Sequence, residues 1–214
     1  MRIGVFGGSF DPVHYGHLLL AECCREQARL DAVWFTPAAV PPHKQGSEMT
    51  PAAARAEMLE LAIGGHEAFS LCRYEIDRGG VNYTVDTLAH VAAEDPDREL
   101  FFLMGGDSLA DLPNWKDPAR LCELALPVVV RRAGGKEVDY GPLAALVRPE
   151  RMALIRKLQV DMPLVDLSGR SLRERVARGQ SIRYRTPRAV EKYIETAGLY
   201  RLAAEAAAGG RAAP

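Results

Sequence analysis

The sequence predicts an α/β protein with a doubly wound parallel sheet, helices on both faces and a small helical part at the C-terminal end. Short apolar runs, typical of buried parallel strands, alternate with segments whose apolar residues recur at helical spacing. Glycine pairs, Gly7-Gly8 and Gly105-Gly106, close two of these runs, where a strand would turn toward its next helix. The 214 residues, 48% of them hydrophobic, suit one domain over residues 1–202. Residues 203–214, rich in alanine and glycine, are expected to fray.

The strands are predicted from apolar runs bounded by glycine, proline or polar residues. In chain order these runs are residues 2–6, 32–36, 69–76, 100–104, 127–131 and 160–167. Ligands bind beyond the carboxyl ends of the strands in such sheets. Functional residues are therefore expected after Phe6, Thr36, Met104 and Leu167.

The helices are predicted from helical spacing and from prolines that suit a first turn. In chain order they are residues 15–29, 51–63, 83–94, 108–112, 118–124, 149–158, 171–178 and 187–197. The proline-rich stretch 37–50 is predicted to be a loop, with Thr50 as the cap of a helix that begins at Pro51. Trp34, within a strand, is expected in the core.

The net charge of -1 gives no overall attraction to nucleic acid or to a membrane. Between residues 168 and 188, however, the sequence has seven arginines and only one acid, Glu174. This local positive charge indicates a small polyanionic ligand. The four cysteines show no CxxC spacing and are expected to be buried and reduced. With no signal peptide and no apolar stretch of membrane-spanning length, the protein is expected to be cytoplasmic.

The segment 7–17 reads GGSFDPVHYGH and joins the first strand to the first helix. Glycines there let backbone N–H groups approach an anion, and the helix offers its positive end to phosphate. His14 and His17 would lie near the first turn and point at one phosphate group, with Gly16 leaving room for the ligand. Zinc binding by His-x-x-His is less favoured because further ligands are missing nearby. Two structural histidines at a helix start are the other alternative.

GGSFDPVHYGH resembles the HxGH signature of the nucleotidylyltransferase superfamily and, in its longer form, the bacterial nicotinate-mononucleotide adenylyltransferase family. The resemblance covers roughly residues 2–202 and implies a Rossmann-like nucleotidyltransferase fold. It implies transfer of the adenylyl group of ATP to nicotinate mononucleotide in NAD biosynthesis, with Mg²⁺ accompanying ATP and no metal held by the protein. By this resemblance His14 and His17 are catalytic and bind ATP. Further ATP-binding residues in the same segment are Gly7, Gly8, Ser9 and Phe10.

A second phosphate motif is predicted at residues 167–173, LSGRSLR, which follow a strand and open a helix. Ser168 suits a helix N-cap or a phosphate ligand, and Arg173 could reach a phosphate bidentately. A capped surface helix with solvated arginines is the alternative. The segment resembles the superfamily motif ISSTxxR, which implies that Ser168 and Arg173 bind ATP and that Arg173 is catalytic. Gly169 and Arg170 replace its second serine and its threonine, which removes a hydroxyl contact.

Residues that would bind the acceptor nucleotide lie on several loops. His43 and Lys44 form a plausible site for the acceptor phosphate, and backbone amides at Tyr83 and Thr84 could bind a carboxylate. Asn82 or Thr84 as a simple helix cap is the alternative. The resemblance assigns this segment to the carboxylate of the nicotinate ring. Arg55 matches a family position without an assigned role.

Three further residues complete the predicted site. Asp107, after Gly105, is placed to accept hydrogen bonds from ribose hydroxyls, and it and Gly105 are assigned to ATP, Asp107 also to the acceptor. Trp115 could stack on an aromatic ring, which the resemblance identifies as the pyridine. Arg132 at the end of a strand is predicted to contact the acceptor. Helix capping by Asp107 and a core position for Trp115 are the alternatives.

Other functions remain open from the sequence alone. They are phosphopantetheine adenylyltransferase, a cytidylyltransferase and a non-catalytic ATP sensor, whereas a class I tRNA synthetase core would need a longer chain. The expected partners are ATP and nicotinate mononucleotide, with no nucleic acid and no membrane. The sequence is compatible with a homo-oligomer and leaves the preference for nicotinate over nicotinamide open.

Overall fold

A computed structural model of the chain describes residues 1–42, 49–135 and 137–201. Its six strands form one parallel sheet in the order β3-β2-β1-β4-β5-β6, which confirms the predicted doubly wound α/β fold. The strands are β1 Arg2–Gly8, β2 Ala32–Pro37, β3 Phe69–Leu71, β4 Glu99–Gly105, β5 Leu126–Arg132 and β6 Val160–Met162. The chain builds outward from β1 in one direction and then from β4 in the other, so the sheet has its switch point between β1 and β4.

Ten helices surround the sheet in the part of the chain that the structure describes. They are α1 Tyr15–Gln27, α2 Ala52–Ile63, α3 Tyr74–Arg78, α4 Thr84–Glu94, α5 Gly106–Asp111, α6 Pro118–Leu124, α7 Gly141–Ala144, α8 Pro149–Lys157, α9 Gly169–Ala177 and α10 Arg188–Thr196. A 3₁₀ turn, Leu112–Asn114, follows α5.

The sheet is buried on both faces, as parallel sheets are. One apolar cluster joins it to α1, α2, α9 and α10, and contains Phe35, Met58, Leu172 and Val190. The other joins it to α4, α6, α7 and α8, and contains Val5, Leu88, Leu121 and Ile155. Because both faces are covered, the edge where the strands end remains for ligands.

Two predicted strands were too long. The stretch 69–76 is extended only over Phe69–Leu71, and α3 begins at Tyr74. The helix ends at Gly79 and Gly80, both with positive φ, which only glycine adopts without strain. Likewise 160–167 is a strand only over Val160–Met162, and the following residues have no regular structure.

Several helix caps that the sequence suggested, Thr50 as a prediction and the others as alternatives, are not present. Thr50 does not cap α2, because the residue at the cap position is Pro51 and the helix begins at Ala52. The cap position of α4 is Tyr83, without a side-chain cap, so neither Asn82 nor Thr84 has that role. Asp107 lies inside the first turn of α5, whose cap position is Gly105.

Two other expectations were partly wrong. Trp34 is only half-buried and lies beneath the guanidinium of Arg98, 4.9 Å from the ring centroid. Of the free cysteines, Cys24 and Cys122 are buried, whereas Cys23 and Cys72 are half-buried. Across the described residues, no helix combines the length and apolar character that a membrane crossing requires.

Candidate active site

The turn after β1 is held by aromatic packing. A Cβ atom on Gly8 would lie only 3.0 Å from the ring of Phe10, so any larger residue would push this buried ring by a few tenths of an ångström. Phe10 has a positive φ of 47°, unusual for a bulky residue, and its side chain is only 1% exposed. Its ring packs on Phe6 and on His17, with centroids 5.4 and 5.0 Å away. The Phe10 ring therefore supports His17, and the buried residue presents almost no surface to a ligand.

The two motif histidines stack on each other, with ring centroids 3.7 Å apart. Nδ1 of His17 accepts a hydrogen bond from the backbone N–H of His14 at 3.3 Å. A neutral imidazole whose Nδ1 accepts must carry its proton on Nε2. His17 is therefore fixed as an Nε2–H donor.

Both histidines are neutral near pH 7. Burial, helped by the positive charge of Arg132, lowers the pKa of His14 to about 4. Burial and the neighbouring His14 hold the pKa of His17 well below its ordinary value. The positive charge of Arg132, a predicted acceptor residue, thus acts on the histidine pair.

Gly16 is required for a reason internal to the protein. A Cβ atom there would lie 3.0 Å from Nδ1 of His14 and 3.7 Å from Cβ of Leu167. The space expected for a ligand is thus filled by the His14 ring and by the segment before α9. Gly16 brings the first motif and the second motif together.

The second motif opens α9, as predicted. The Ser168 hydroxyl accepts a hydrogen bond from the Ser171 N–H at 3.1 Å, which confirms Ser168 as the N-cap. Arg173 donates from Nη1 to the backbone carbonyl of Asp11 at 2.6 Å. This bond joins α9 to the turn between β1 and α1, so the two phosphate motifs lie side by side.

The replacement of serine by Gly169 has a steric explanation. An ideal Cβ atom at residue 169 would lie 2.6 Å from the carbonyl oxygen of Asp11, closer than real Cβ contacts allow. The first turn of α9 therefore approaches the Asp11 turn more closely than a serine would permit. Arg170 is exposed on the same turn.

Arg55 is a site residue whose role the sequence did not reveal. Its side chain is 0% exposed and donates to three carbonyls. Nη1 bonds Ser9 at 2.8 Å, Nη2 bonds Ala39 at 3.0 Å and Nε bonds Thr50 at 2.9 Å. The Arg55 guanidinium thus joins the turn after β1 to both flanks of the loop after β2. The signals in the sequence were its match to a family position and its place in an otherwise alanine-rich helix start.

The predicted acceptor residues Tyr83 and Trp115 lie on one side of the sheet, packed against the same apolar cluster. The Trp115 ring meets Phe102 edge-on at 5.8 Å, and its Nε1–H donates to Asp111 at 3.1 Å. The ammonium group of Lys116 lies 4.6 Å from the Tyr83 ring centroid. Lys116 was not predicted, although it follows Trp115 directly.

The remaining predicted residues lie at the carboxyl edge or outside the described chain. Gly105 ends β4, where a Cβ atom would have nothing within 4 Å, and Asp107 is exposed just beyond it. Arg132 is exposed at the end of β5, whereas its neighbour Arg131 pairs with Asp161 at 2.7 Å. His43 and Lys44 fall within residues 43–48, outside the part that the structure describes.

Known proteins resemble this chain over nearly its whole length. A family model described as cytidylyltransferase-like matches residues 5–175. The chain is 46% identical over 200 residues to the "Probable nicotinate-nucleotide adenylyltransferase" of Thermomicrobium roseum, covering 94% of this chain and 92% of that protein. It is 44% identical over 201 residues to a protein of the same name from Thermus thermophilus, covering 94% and 100%.

A solved structure shares the fold at low sequence identity. It is the Plasmodium falciparum nicotinic acid mononucleotide adenylyltransferase complexed with NaAD, with a TM-score of 0.69 at 17% identity. The match covers 93% of this chain and 97% of that chain.

The family model spans both phosphate motifs, so fold and site together define a nucleotidyltransferase of the cytidylyltransferase-like class. The relatives narrow this class, because they match nearly the whole chain at more than 40% identity. The chain belongs to the nicotinate-nucleotide adenylyltransferase family, which confirms the resemblance in the first motif.

Proposed function

We propose that this chain transfers the adenylyl group of ATP to nicotinate mononucleotide, forming nicotinate adenine dinucleotide and pyrophosphate in NAD biosynthesis. The observation that carries the proposal is the neutral histidine pair at the switch point of the sheet. There His17 is fixed as an Nε2–H donor beside the second phosphate motif.

The chemistry needs positioning and charge stabilisation more than a strong base. The phosphate of the acceptor is already an anion near neutral pH, since its second pKa is about 6. One of its oxygens attacks the α-phosphorus in line, a new P–O bond forms, and the bond to pyrophosphate breaks. The leaving group carries away the electron pair, and no proton has to be removed from the nucleophile.

The two motifs divide the phosphates of ATP between them. His17 donates its Nε2–H to an oxygen of the α-phosphate as negative charge grows there, and His14 contacts a neighbouring phosphate oxygen. Ser168 and Arg173 hold the β- and γ-phosphates at the N-terminus of α9. Nη1 of Arg173 donates a hydrogen bond to the Asp11 carbonyl, and the guanidinium carries further N–H donors for phosphate. Backbone groups of Gly7 and its neighbours 8–10 line the same turn.

Mg²⁺ bound to ATP would neutralise part of the triphosphate charge. Among the described residues no group of three His, Cys, Asp or Glu side chains could hold a metal ion. Phosphate oxygens and water would therefore supply most of its ligands, as is common for this ion.

The acceptor lies on the other side of the switch point. Trp115 stacks on its pyridine ring, and backbone amides at Tyr83 and Thr84 bind the nicotinate carboxylate. Asp107 accepts from ribose hydroxyls, and Arg132 contacts the nucleotide near the histidines. His43 and Lys44 bind its phosphate.

The test measures pyrophosphate release from ATP and Mg²⁺ with three acceptors in parallel: nicotinate mononucleotide, nicotinamide mononucleotide and phosphopantetheine. Turnover with nicotinate mononucleotide far above the other two is expected. Turnover with phosphopantetheine alone would refute the roles of Tyr83, Thr84 and Trp115. ATP binding without release from any acceptor would instead favour a sensor.

The variant His17→Ala tests whether the Nε2–H of His17 stabilises the charge on the α-phosphate. Because one preorganised donor to transition-state charge contributes about 10²–10³ in kcat, a loss of that size is expected with little change in acceptor KM. His66→Ala is the control, since His66 is a partly exposed histidine that pairs with Glu22 on α1. Equal turnover of both variants would refute the assignment.

A further inference from the structure

Asp11 is a buried carboxylate at the junction of four chain segments. It is only 4% exposed, and its Oδ1 accepts a hydrogen bond from the Tyr200 hydroxyl at 2.7 Å. Its Oδ2 faces the Thr50 N–H at 3.5 Å and lies 3.9 Å from Nη1 of Arg173. The carboxylate therefore links the turn between β1 and α1 to the segment before α2, to α9 and to the segment after α10.

The same residue sets the position of Arg173. The Asp11 carbonyl accepts the 2.6 Å bond from Nη1 of Arg173 and limits how closely Gly169 approaches. A rotation of the Asp11 peptide would move this carbonyl and, with it, the guanidinium that faces the phosphates. Whatever fixes Asp11 therefore also fixes Arg173.

Tyr200 is built to fix Asp11. It follows Gly198, and both have positive φ, which turns the chain back toward the site after α10. Burial and the negative charge of Asp11 raise the pKa of Tyr200 above its ordinary range, so its hydroxyl remains a donor. The Thr50 side chain also bonds the Tyr200 oxygen. Tyr200, Asp11 and Arg173 line one side of a recess beside the second motif.

We propose that Tyr200 is a positioning residue for triphosphate binding, which it promotes by holding Asp11 so that the Asp11 carbonyl orients Arg173. This inference rests on the proposed function, because it takes the triphosphate of ATP as the ligand of Arg173. Tyr200 itself does not touch the nucleotide.

The experiment compares Tyr200→Phe with Tyr193→Phe in the full chain. Both tyrosines are half-buried, and each hydroxyl bonds a carboxylate, Asp11 for Tyr200 and Glu57 for Tyr193. Binding of α,β-methylene-ATP with Mg²⁺ is measured by calorimetry, and thermal unfolding is followed for each variant. Tyr200→Phe is expected to weaken binding about 5- to 10-fold, as for one lost hydrogen bond, with Tyr193→Phe within about 2-fold of the parent.

A double-mutant cycle separates positioning from a general structural effect. In an Arg173→Ala background, Tyr200→Phe is expected to change binding by less than about 2-fold, because the group it positions is gone. Steady-state kinetics of Tyr200→Phe should show a raised KM for ATP with an unchanged KM for nicotinate mononucleotide.

The outcomes are distinct. If the parent chain does not bind the ATP analogue, the proposed function fails and this inference fails with it. If the parent binds and Tyr200→Phe binds equally well, only this inference is overturned. It is also overturned if Tyr200→Phe weakens binding as much in the Arg173→Ala background as in the parent.

Discussion

Replacing Gly169 with alanine places a methyl group 2.6 Å from the carbonyl oxygen of Asp11. Ordinary carbon–oxygen contacts are about 3.3–3.6 Å, so α9 or the Asp11 turn must move by about 0.7–1 Å. The obstacle is backbone, which cannot swing aside like the end of a flexible side chain. The movement must also stretch or break the 2.6 Å bond from Arg173 to the same carbonyl.

The expected magnitude follows from these two changes. Overpacking of this kind costs about 1–3 kcal/mol, while alanine regains up to about 0.5–1 kcal/mol over glycine in a helix. A net loss of about 1–2 kcal/mol in the free energy of unfolding is expected, or about 2–8 °C in Tm for a chain of this size. A displacement near 1 Å at Arg173 can lower kcat/KM for ATP by about 10²-fold.

Gly141→Ala is the matched control. Gly141 is also the first residue of its helix, α7, but the nearest atom to its Cβ position is a carboxylate oxygen of exposed Asp139 at 3.0 Å. That exposed side chain can rotate away, with water replacing the hydrogen bond that its Oδ1 accepts from the Gly141 N–H at 2.8 Å. Differential scanning fluorimetry and initial rates with varied ATP are measured on both variants. A Gly169→Ala variant with the Tm and kcat/KM of Gly141→Ala would refute the steric reasoning.

Three further predictions concern His14, Arg55 and Trp115. The pKa of His14 is lowered from 6.5 to about 4 in the folded state. The neutral imidazole therefore contributes roughly 3 kcal/mol to the free energy of unfolding above pH 6.5, and this contribution is lost as pH falls toward 4. Urea unfolding at pH 7 and pH 4.5 should show a smaller loss on acidification for His14→Gln than for the parent, and equal losses would contradict the shift. Arg55→Met leaves three buried carbonyls without their donor and should cost about 3–5 kcal/mol in chemical unfolding. The exposed pair broken by Arg120→Met should cost less than about 1 kcal/mol. Comparable losses for the two arginines would show that the Arg55 bonds contribute little. Trp115→Ala should raise the KM for nicotinate mononucleotide about 5- to 100-fold, as for a lost aromatic stack, and leave the KM for ATP within about 2-fold; a change confined to ATP would place the indole at the other nucleotide.

The fold and the positions of the two motif segments within it could be predicted because they depend on local patterns. The apolar runs of β1 and β4 end in glycines, and HxGH and the segment before Arg173 are contiguous in sequence. Helix α3 was missed because residues such as Phe69 and Leu71, just before it, favour a strand. Its only signal in the sequence is the glycine pair Gly79-Gly80, at which the helix ends.

What the sequence could not supply were contacts between distant segments. Arg55 bonds Ser9 across 46 positions, and Arg173 bonds Asp11 across 162. Local spacing does not reveal such pairs. Sequence reasoning therefore assigned no role to Arg55 and took Gly169 only as the loss of a hydroxyl contact. Phe10 lay in a motif assigned to ATP, yet its ring is in the core, because its positive φ turns it beneath His17.

The bond between Tyr200 and Asp11 spans 189 positions, and Thr186 bonds the Val13 carbonyl across 173. During synthesis the first motif therefore leaves the ribosome long before the residues that complete it. The nascent chain carries HxGH without α9 until residues 169–177 have been added, and Asp11 lacks its phenol partner until Tyr200 follows. A chain that ends before residue 200 would thus keep both histidines but lack the phenol that holds Asp11, so the turn at Asp11 is completed only after residue 200 has been added.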